Sequence, residues 1–412
     1  MIRRTTVPVL VTAALLAGCG GDAIGPITEL PRALTAAESD LIAADNRFAF
    51  KLLEAVAAGE TGPNLFISPL SVGMALGMTY NGAAGETEGA MRQALELGGL
   101  TLEAINASYR GVIDLLRGLD PSVEFTIANS LWHRTGVTPA PDFLERVSRH
   151  FDATITGLDF ASPTAAPAIN AWVDDRTGGR IREIVEAPID AATIAFLINA
   201  IYFKGSWTHR FDPDRTAPWP FQLANGSERD VPLMRSDGEI PVRYARVNDV
   251  DVLDLPYGGG AFRMTIVLPE TPETLAELVA RTTAAAWTGW TDALDSADLV
   301  VALPKFSLSY EQSLNDELEA LGMAIAFSCD DPPVADFSAM VPGGGVCLTE
   351  VKHKTFVDVN EEGTEAAAAT SVGIGVVSAP PSVDVDRPFV FAIREALSGT
   401  ILFLGVIGDP GA

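Results

Sequence analysis

The sequence has little histidine, little cysteine and few basic residues. Four histidines occur, His133, His150, His209 and His353, and none stands in an H-E-x-x-H arrangement. No G-x-S-x-G elbow, C-x-x-C pair or Cys/His cluster at zinc spacing is found either. A hydrolase needs a base beside its nucleophile, so neither enzymatic activity nor a metal or other cofactor is expected. The lack of G-x-G-x-x-G in a β-α-β unit and of a Gly-Lys phosphate loop argues against nucleotide chemistry. Lys and Arg total 28 against 54 Asp and Glu, a net charge of -26, and no basic cluster exceeds Arg3-Arg4. Nucleic-acid binding draws on counterion release by Lys and Arg, and it is not expected here. Basic or neutral partners are favoured.

What is present is apolar material enough for a large core. Hydrophobic residues make up 48% of the 412-residue chain, which separates it from disordered chains of similar charge imbalance. At the start, Arg3 and Arg4 precede a mostly apolar run from Thr5 to Ala17, too short to span a bilayer. Leu16-Ala17-Gly18-Cys19 closes it and resembles the lipobox of bacterial lipoproteins. The resemblance implies a signal peptide of residues 1–18 and lipid on Cys19; the other reading is an ordinary secretory signal. Gly20, in place of Asp, points to the outer membrane or cell surface, so an extracytoplasmic, membrane-anchored protein is expected. That compartment permits disulfides. Cys329 and Cys347 either bridge or stand as two separate small buried residues, and their spacing does not decide between these.

Residues 19–34, rich in Gly, Pro and Ile, read as a tether. Thr35-Ala36-Ala37-Glu38 reads as a capping box that opens a helix through about Ala58, with Leu41, Ile42, Phe48, Leu52 and Val56 near helical spacing. No linker follows, so residues 35–412 read as one domain. Helical patterns cover Ala83 to Leu97, Leu102 to Leu116 and Ile169 to Val185. Strand patterns cover Thr193 to Phe203, Val250 to Leu255, Phe262 to Leu268, Leu299 to Leu308, Cys347 to Val359, Phe389 to Arg394 and Ile401 to Ile407. Without regular β-α alternation these predict an α+β fold.

The stretch from Asn360 to Arg387 carries the most information. It is small, polar and Pro-bounded, and about twenty residues of it lie between two strands, long for a structureless connection. Yet it has a strand period: one set of alternating positions reads Thr364, Ala366, Ala368, Thr370, Val372, Ile374, Val376, and the other Glu365, Ala367, Ala369, Ser371, Gly373, Gly375, Val377. The first set suits a core and the second suits solvent.

Ordered motifs then extend over nearly the whole chain, from about Leu41 to Pro410. They are NLFISPLS from Asn64, NGAAGET from Asn81, ANSLW from Ala128, INAWV from Ile169 and LINAIYFKGSW from Leu197. LPKFSLSY from Leu303, ADFSAM from Ala335, NEEGTEAAAAT from Asn360, DRPFVFAIRE from Asp386 and SGTILFLGVIGDP from Ser398 complete the series. On these residues the chain resembles the serpin family of serine protease inhibitors, as a bacterial lipoprotein member. The resemblance implies about nine helices and three β-sheets with an exposed reactive-centre loop. It further implies a suicide substrate: a target serine protease cleaves the loop, forms an acyl-enzyme and is trapped covalently as the loop inserts into the main sheet.

Within that resemblance the hinge is Gly363, Thr364, Glu365, Ala366, Ala367, Ala368, Ala369 and Thr370. Gly363 permits the backbone swing, and the inward positions bring neither charge nor bulk. Family spacing counted from Glu361 and from Pro388-Phe389 places the reactive bond at Val377-Ser378, with Val376 or Ile374 as alternative attacked residues. Valine suits a small apolar pocket, so elastase-like targets are expected. Ser68, Asn199 and His353 would form a polar shutter beneath the sheet. Trp207, Lys305 and Glu361 would stand at the breach where the loop enters, the last two as an ion pair. The Met91 to Ile113 region carries only Arg92 and Arg110 as bases, so heparin activation is not expected. The chain is expected to act as a monomer. The alternative function is a non-inhibitory binding or storage lipoprotein on the same fold.

Overall fold

The computed structural model describes residues 25–330, 333–364 and 381–412. Among the described residues lie nine α-helices: α1 Ala36–Gly59, α2 Pro69–Tyr80, α3 Gly85–Ala94, α4 Leu102–Leu116, α5 Pro141–Phe151, α6 Ala165–Arg176, α7 Leu275–Arg281, α8 Ala284–Asp292 and α9 Asn315–Leu318. The expected box caps α1, with Thr35 Oγ1 accepting from Glu38 N and the Glu38 carboxylate accepting from Thr35 N. The helical pattern expected from Ile169 to Val185 instead ends at Arg176 and begins earlier. Gly178 and Gly179 follow with φ of 58° and 82°, which end a right-handed helix.

The strands are β1 Asn64–Ile67, β2 Val123–Arg134, β3 Thr154–Leu158, β4 Ala195–Ser206, β5 Ala217–Gln222, β6 Glu228–Arg235, β7 Ile240–Val247 and β8 Val250–Tyr257. They continue as β9 Phe262–Pro269, β10 Asp295–Pro304, β11 Phe306–Ser313, β12 Lys352–Asn360, β13 Gly363–Thr364, β14 Ser382–Asp384, β15 Phe389–Glu395 and β16 Ile401–Ile407. They make three sheets. A six-stranded sheet runs β11-β12-β13-β4-β2-β3. A second runs β1-β16-β15-β9-β8-β7-β10, and the third joins β14, the far half of β10, β6 and β5. The single strand expected over Leu299 to Leu308 is therefore two strands. β10 ends at Pro304, and after Lys305 the chain changes sheets. Cys347 is bridged to Cys329 at a Cα–Cα distance of 5.3 Å, and the strand expected from it begins only at Lys352, because the backbone between is paired elsewhere: Leu348 N donates to Ala326 O, and Asn315 holds Thr349 O and Val351 N.

Aromatic side chains pack between the layers. Phe66 of β1 stacks on Phe391 and Phe403, with centroids 5.5 and 5.3 Å apart, and each such ring fully buried contributes roughly 1.5–3 kcal/mol by burial. Consecutive residues of β4 show the two faces of the six-stranded sheet. Asn199 reaches Met74 of α2, and Ile198 joins a cluster with Val173 of α6 and Trp132 of β2. So α2 and α6 cover opposite faces.

Candidate functional site

Among the described residues the six-stranded sheet is open along its middle. β4 and β12 flank the same position, and among the described residues only β13, two residues long, joins them. Gly363 pairs with Ser206 and Asn360, and Thr364 with Gly205 and Val359, antiparallel on both sides. Further along, the two strands line a cavity of about 120 Å³ that also touches Val72 and Leu76 of α2 and Val173 of α6.

At the occupied end, Gly363 has φ 146°, and a Cβ there would overlap the carbonyl oxygen of Gly205. Only glycine fits that approach. Thr364 is 4% exposed, and its Oγ1 meets the Tyr257 hydroxyl at 3.0 Å. The Tyr257 ring stacks on Trp207 with centroids 4.4 Å apart, so the slot for the first inward hinge residue is aromatic with one polar contact. Trp207 holds the strand end as well: its Nε1 donates to Asn360 O at 2.9 Å and its N to Glu362 O at 2.8 Å. Lys305 Nζ donates to Glu361 Oε2 at 2.9 Å, and Thr216 Oγ1 to Glu361 Oε1 at 2.8 Å. Burial opposes the charge on Glu361, but the bonds from Lys305, from its own backbone and from Thr216 hold its carboxyl below the usual range. Trp207, Lys305 and Glu361 thus come together around β13.

Ser68, Asn199 and His353 lie along the opening, all buried. Ser68 caps α2, where its Oγ accepts from Ser71 N at 3.4 Å and donates to Leu402 O at 2.8 Å. Ser68 N donates to His353 Nε2 at 3.0 Å, which places the proton of the neutral ring on Nδ1. Burial pushes His353 down to about 4, so the ring is neutral at physiological pH. Asn199 Nδ2 donates to Asn129 Oδ1 at 2.8 Å, and Asn129 Nδ2 to Phe151 O at 2.7 Å. Asn199 Oδ1, buried beside the cavity, has no hydrogen-bond partner among the described residues. No hydrogen bond joins Asn199 to His353; the link passes through Ser71, whose Oγ donates to Asn199 O at 3.2 Å and whose N donates to Ser68 Oγ.

Several expected residues lie outside the described ones: Cys19, the hinge positions Glu365, Ala366, Ala367, Ala368, Ala369 and Thr370, the reactive bond Val377-Ser378, and Val376 and Ile374. Two participants were not singled out from sequence. Asn129 pairs with Asn199 across β2 and β4, and aligning the two strand patterns would have shown it. Tyr257 lies over 100 residues from Thr364, and nothing local marks it.

Residues 43–410 match the family described as serpin (serine protease inhibitor). The leukocyte elastase inhibitor of Sus scrofa is 36% identical over 382 residues, covering 90% of this chain and 99% of that protein. Among solved structures, human thyroxine-binding globulin complexed with thyroxine superposes with TM-score 0.81 at 26% identity, covering 92% of this chain and 100% of that one. Tengpin, a thermophilic serpin in its native state, gives TM-score 0.79 at 28% identity, covering 93% and 97%. The nine helices and three sheets are the serpin fold.

Proposed function

The chain belongs to the serpin family of serine protease inhibitors, and from that premise we propose that it is a suicide substrate of a serine protease, cleaved at Val377-Ser378. The observation that carries this reading is β13: Gly363 and Thr364 are paired on both sides between β4 and β12, with the rest of the opening beyond them. If cleavage frees the following residues to continue in that register, Ala366 falls between Phe203 and Val357, Ala368 between Ile201 and Thr355, and Thr370 between Asn199 and His353. All six flanking residues are buried, so the small uncharged set faces the core and Glu365 faces outward beside Lys204. Thr370 would bring a hydroxyl to the unpartnered Asn199 Oδ1. Insertion then carries the acyl-enzyme away from its docking place, and distortion of the protease stalls deacylation.

Valine at the attacked position fits a small apolar pocket, so elastase-like proteases are the proposed targets, in keeping with the likeness to leukocyte elastase inhibitor. Ser68, Asn199 and His353 serve as the shutter, and Trp207, Lys305 and Glu361 as the breach. The proposal includes a lipid on Cys19 that holds the inhibitor at a membrane surface outside the cytoplasm. Incubation of the chain without residues 1–19 with an elastase-like serine protease tests the reading. A denaturant-resistant adduct with release of the peptide starting at Ser378 is the expected result; cleavage with no adduct for any serine protease of that specificity refutes it.

A second reading, a serpin-fold binding or storage lipoprotein, draws on Gly373 and Gly375, which weaken a strand and slow insertion, and on the likeness to thyroxine-binding globulin. Heat stability separates the two: insertion raises it sharply after loop cleavage, and a non-inserting loop leaves it unchanged.

A further inference from the structure

We propose that the segment from Gly25 to Leu34 is a strap that positions the hinge through the β8–β9 turn, an inference whose functional consequence rests on the inhibitor reading but whose geometry does not. Ile27 N donates to Gly259 O at 2.8 Å. The Ile27 side chain packs where Gly259 has no Cβ, which would lie 3.0 Å from Ile27 Cδ1. From another side Gly259 N donates to Asp120 Oδ2 at 2.8 Å, so the turn is held between the strap and the start of β2. Past Ile27 the strap is anchored again: Arg32 makes a two-pronged bond to Glu38, at 2.8 and 2.7 Å, and reaches Gly111 O at 3.2 Å. Ile27 is therefore part of a fixed crossing.

The turn that the strap covers is stapled to the groups that hold the hinge. Gly258 N donates to Ser206 O at 2.8 Å, and Ser206 is the pairing partner of Gly363. Thr208 Oγ1 donates to Gly258 O at 2.7 Å. Tyr257, which leads into the turn, carries the hydroxyl that meets Thr364. From Ile27 to Thr364 the path is one hydrogen bond, two backbone steps and one side-chain contact. Ile27 and Gly259 are positioning residues: they fix the turn, the turn fixes Ser206 and Tyr257, and these set how firmly the first two hinge residues stay in the sheet. Loosening the strap releases the hinge end before the rest of the fold yields.

The test is a double-mutant cycle between strap and hinge, read by amide hydrogen exchange on the full chain. Ile27→Pro removes the N–H donor and the apolar contact, and Thr364→Val removes the hydroxyl that meets Tyr257. Exchange of residues 359–364 is expected to rise at least five-fold in Ile27→Pro, with β15 and β16 unchanged. The double variant is expected to exchange less than the product of the two single effects, because the Tyr257 contact is common to both changes while the Ser206 bond is reached by Ile27→Pro alone. Unchanged hinge exchange in Ile27→Pro, or effects that multiply independently in the double variant, would overturn the proposal. Ile27→Ala keeps the N–H and gives the same direction at smaller size if the proline variant does not fold. No protease enters this measurement, so its failure is distinct from failure to trap one.

Discussion

Replacing His353 with alanine tests the shutter through pH. The change removes the acceptor of the Ser68 N–H at 3.0 Å, and a buried donor left unpaired costs about 1–3 kcal/mol. At pH 7.5 the variant should therefore be less stable by about 2 kcal/mol. The buried imidazole is held at about 4 against an ordinary 6.5, so the unfolded chain takes up a proton that the native one refuses. Its contribution is complete above 6.5 and is lost as pH falls toward 4. Between pH 7.5 and 5 the parent loses roughly 2 kcal/mol from this group alone, at about 1.4 kcal/mol per pH unit below 6.5. The variant has no such loss. The gap between parent and variant, measured by urea unfolding at several pH values, should thus narrow nearly to zero at pH 5; carboxylates titrate in both and cancel. A gap that stays constant from pH 7.5 to 5 would show that His353 is not held neutral, and the shutter chemistry derived from it would fall. In the same variant, warming should yield polymers by size-exclusion chromatography, whereas a persistent monomer with the parent's heat stability would speak against a shutter.

Thr364→Arg places a charge where Thr364 is 4% exposed and meets Tyr257, whose ring stacks on Trp207; the chain should then be cleaved by its target as plain substrate, seen as loss of the covalent adduct on gels with cleavage retained. Glu361→Gln removes the charge that meets Lys305, whose side chain is 43% exposed; a drop of about 0.5–1 kcal/mol, smaller at high salt, is expected from thermal unfolding. Cys329→Ser opens a loop of sequence separation 18 and should cost about 3 kcal/mol. Because Cys329 is exposed, dithiothreitol should lower the thermal midpoint of the parent to that of the variant, and insensitivity to reductant would contradict an accessible bridge.

Local pattern was enough for α4, found at Leu102–Leu116, and for β16, found at Ile401–Ile407, because each carries a complete period between clear stops. It was not enough at Leu299 to Leu308, where alternation continues across Lys305 while the chain passes from one sheet to another. Alternation reports which side chains face inward, not which neighbour they pair with. The strand β5 escaped notice for a related reason. β5 is largely exposed, with only Phe221 buried, and an edge strand has little apolar pattern to read.

The sequence by itself determined the family, through the order of its motifs, and the small inward set after Gly363, through side-chain size at alternate positions; Ser68, Asn199 and His353 were reached only through the resemblance that those motifs carry. Only the tertiary structure decided that Gly363 and Thr364 sit between β4 and β12, that Cys329 meets Cys347, and that Tyr257 and the strap at Ile27 bear on the hinge. The physical reason is distance along the chain. Period and capping act within a few residues, whereas the pairing of β13 with β4, the disulfide, and the contacts of Tyr257 and Ile27 join groups 18 to more than 200 residues apart and depend on packing that no local pattern encodes.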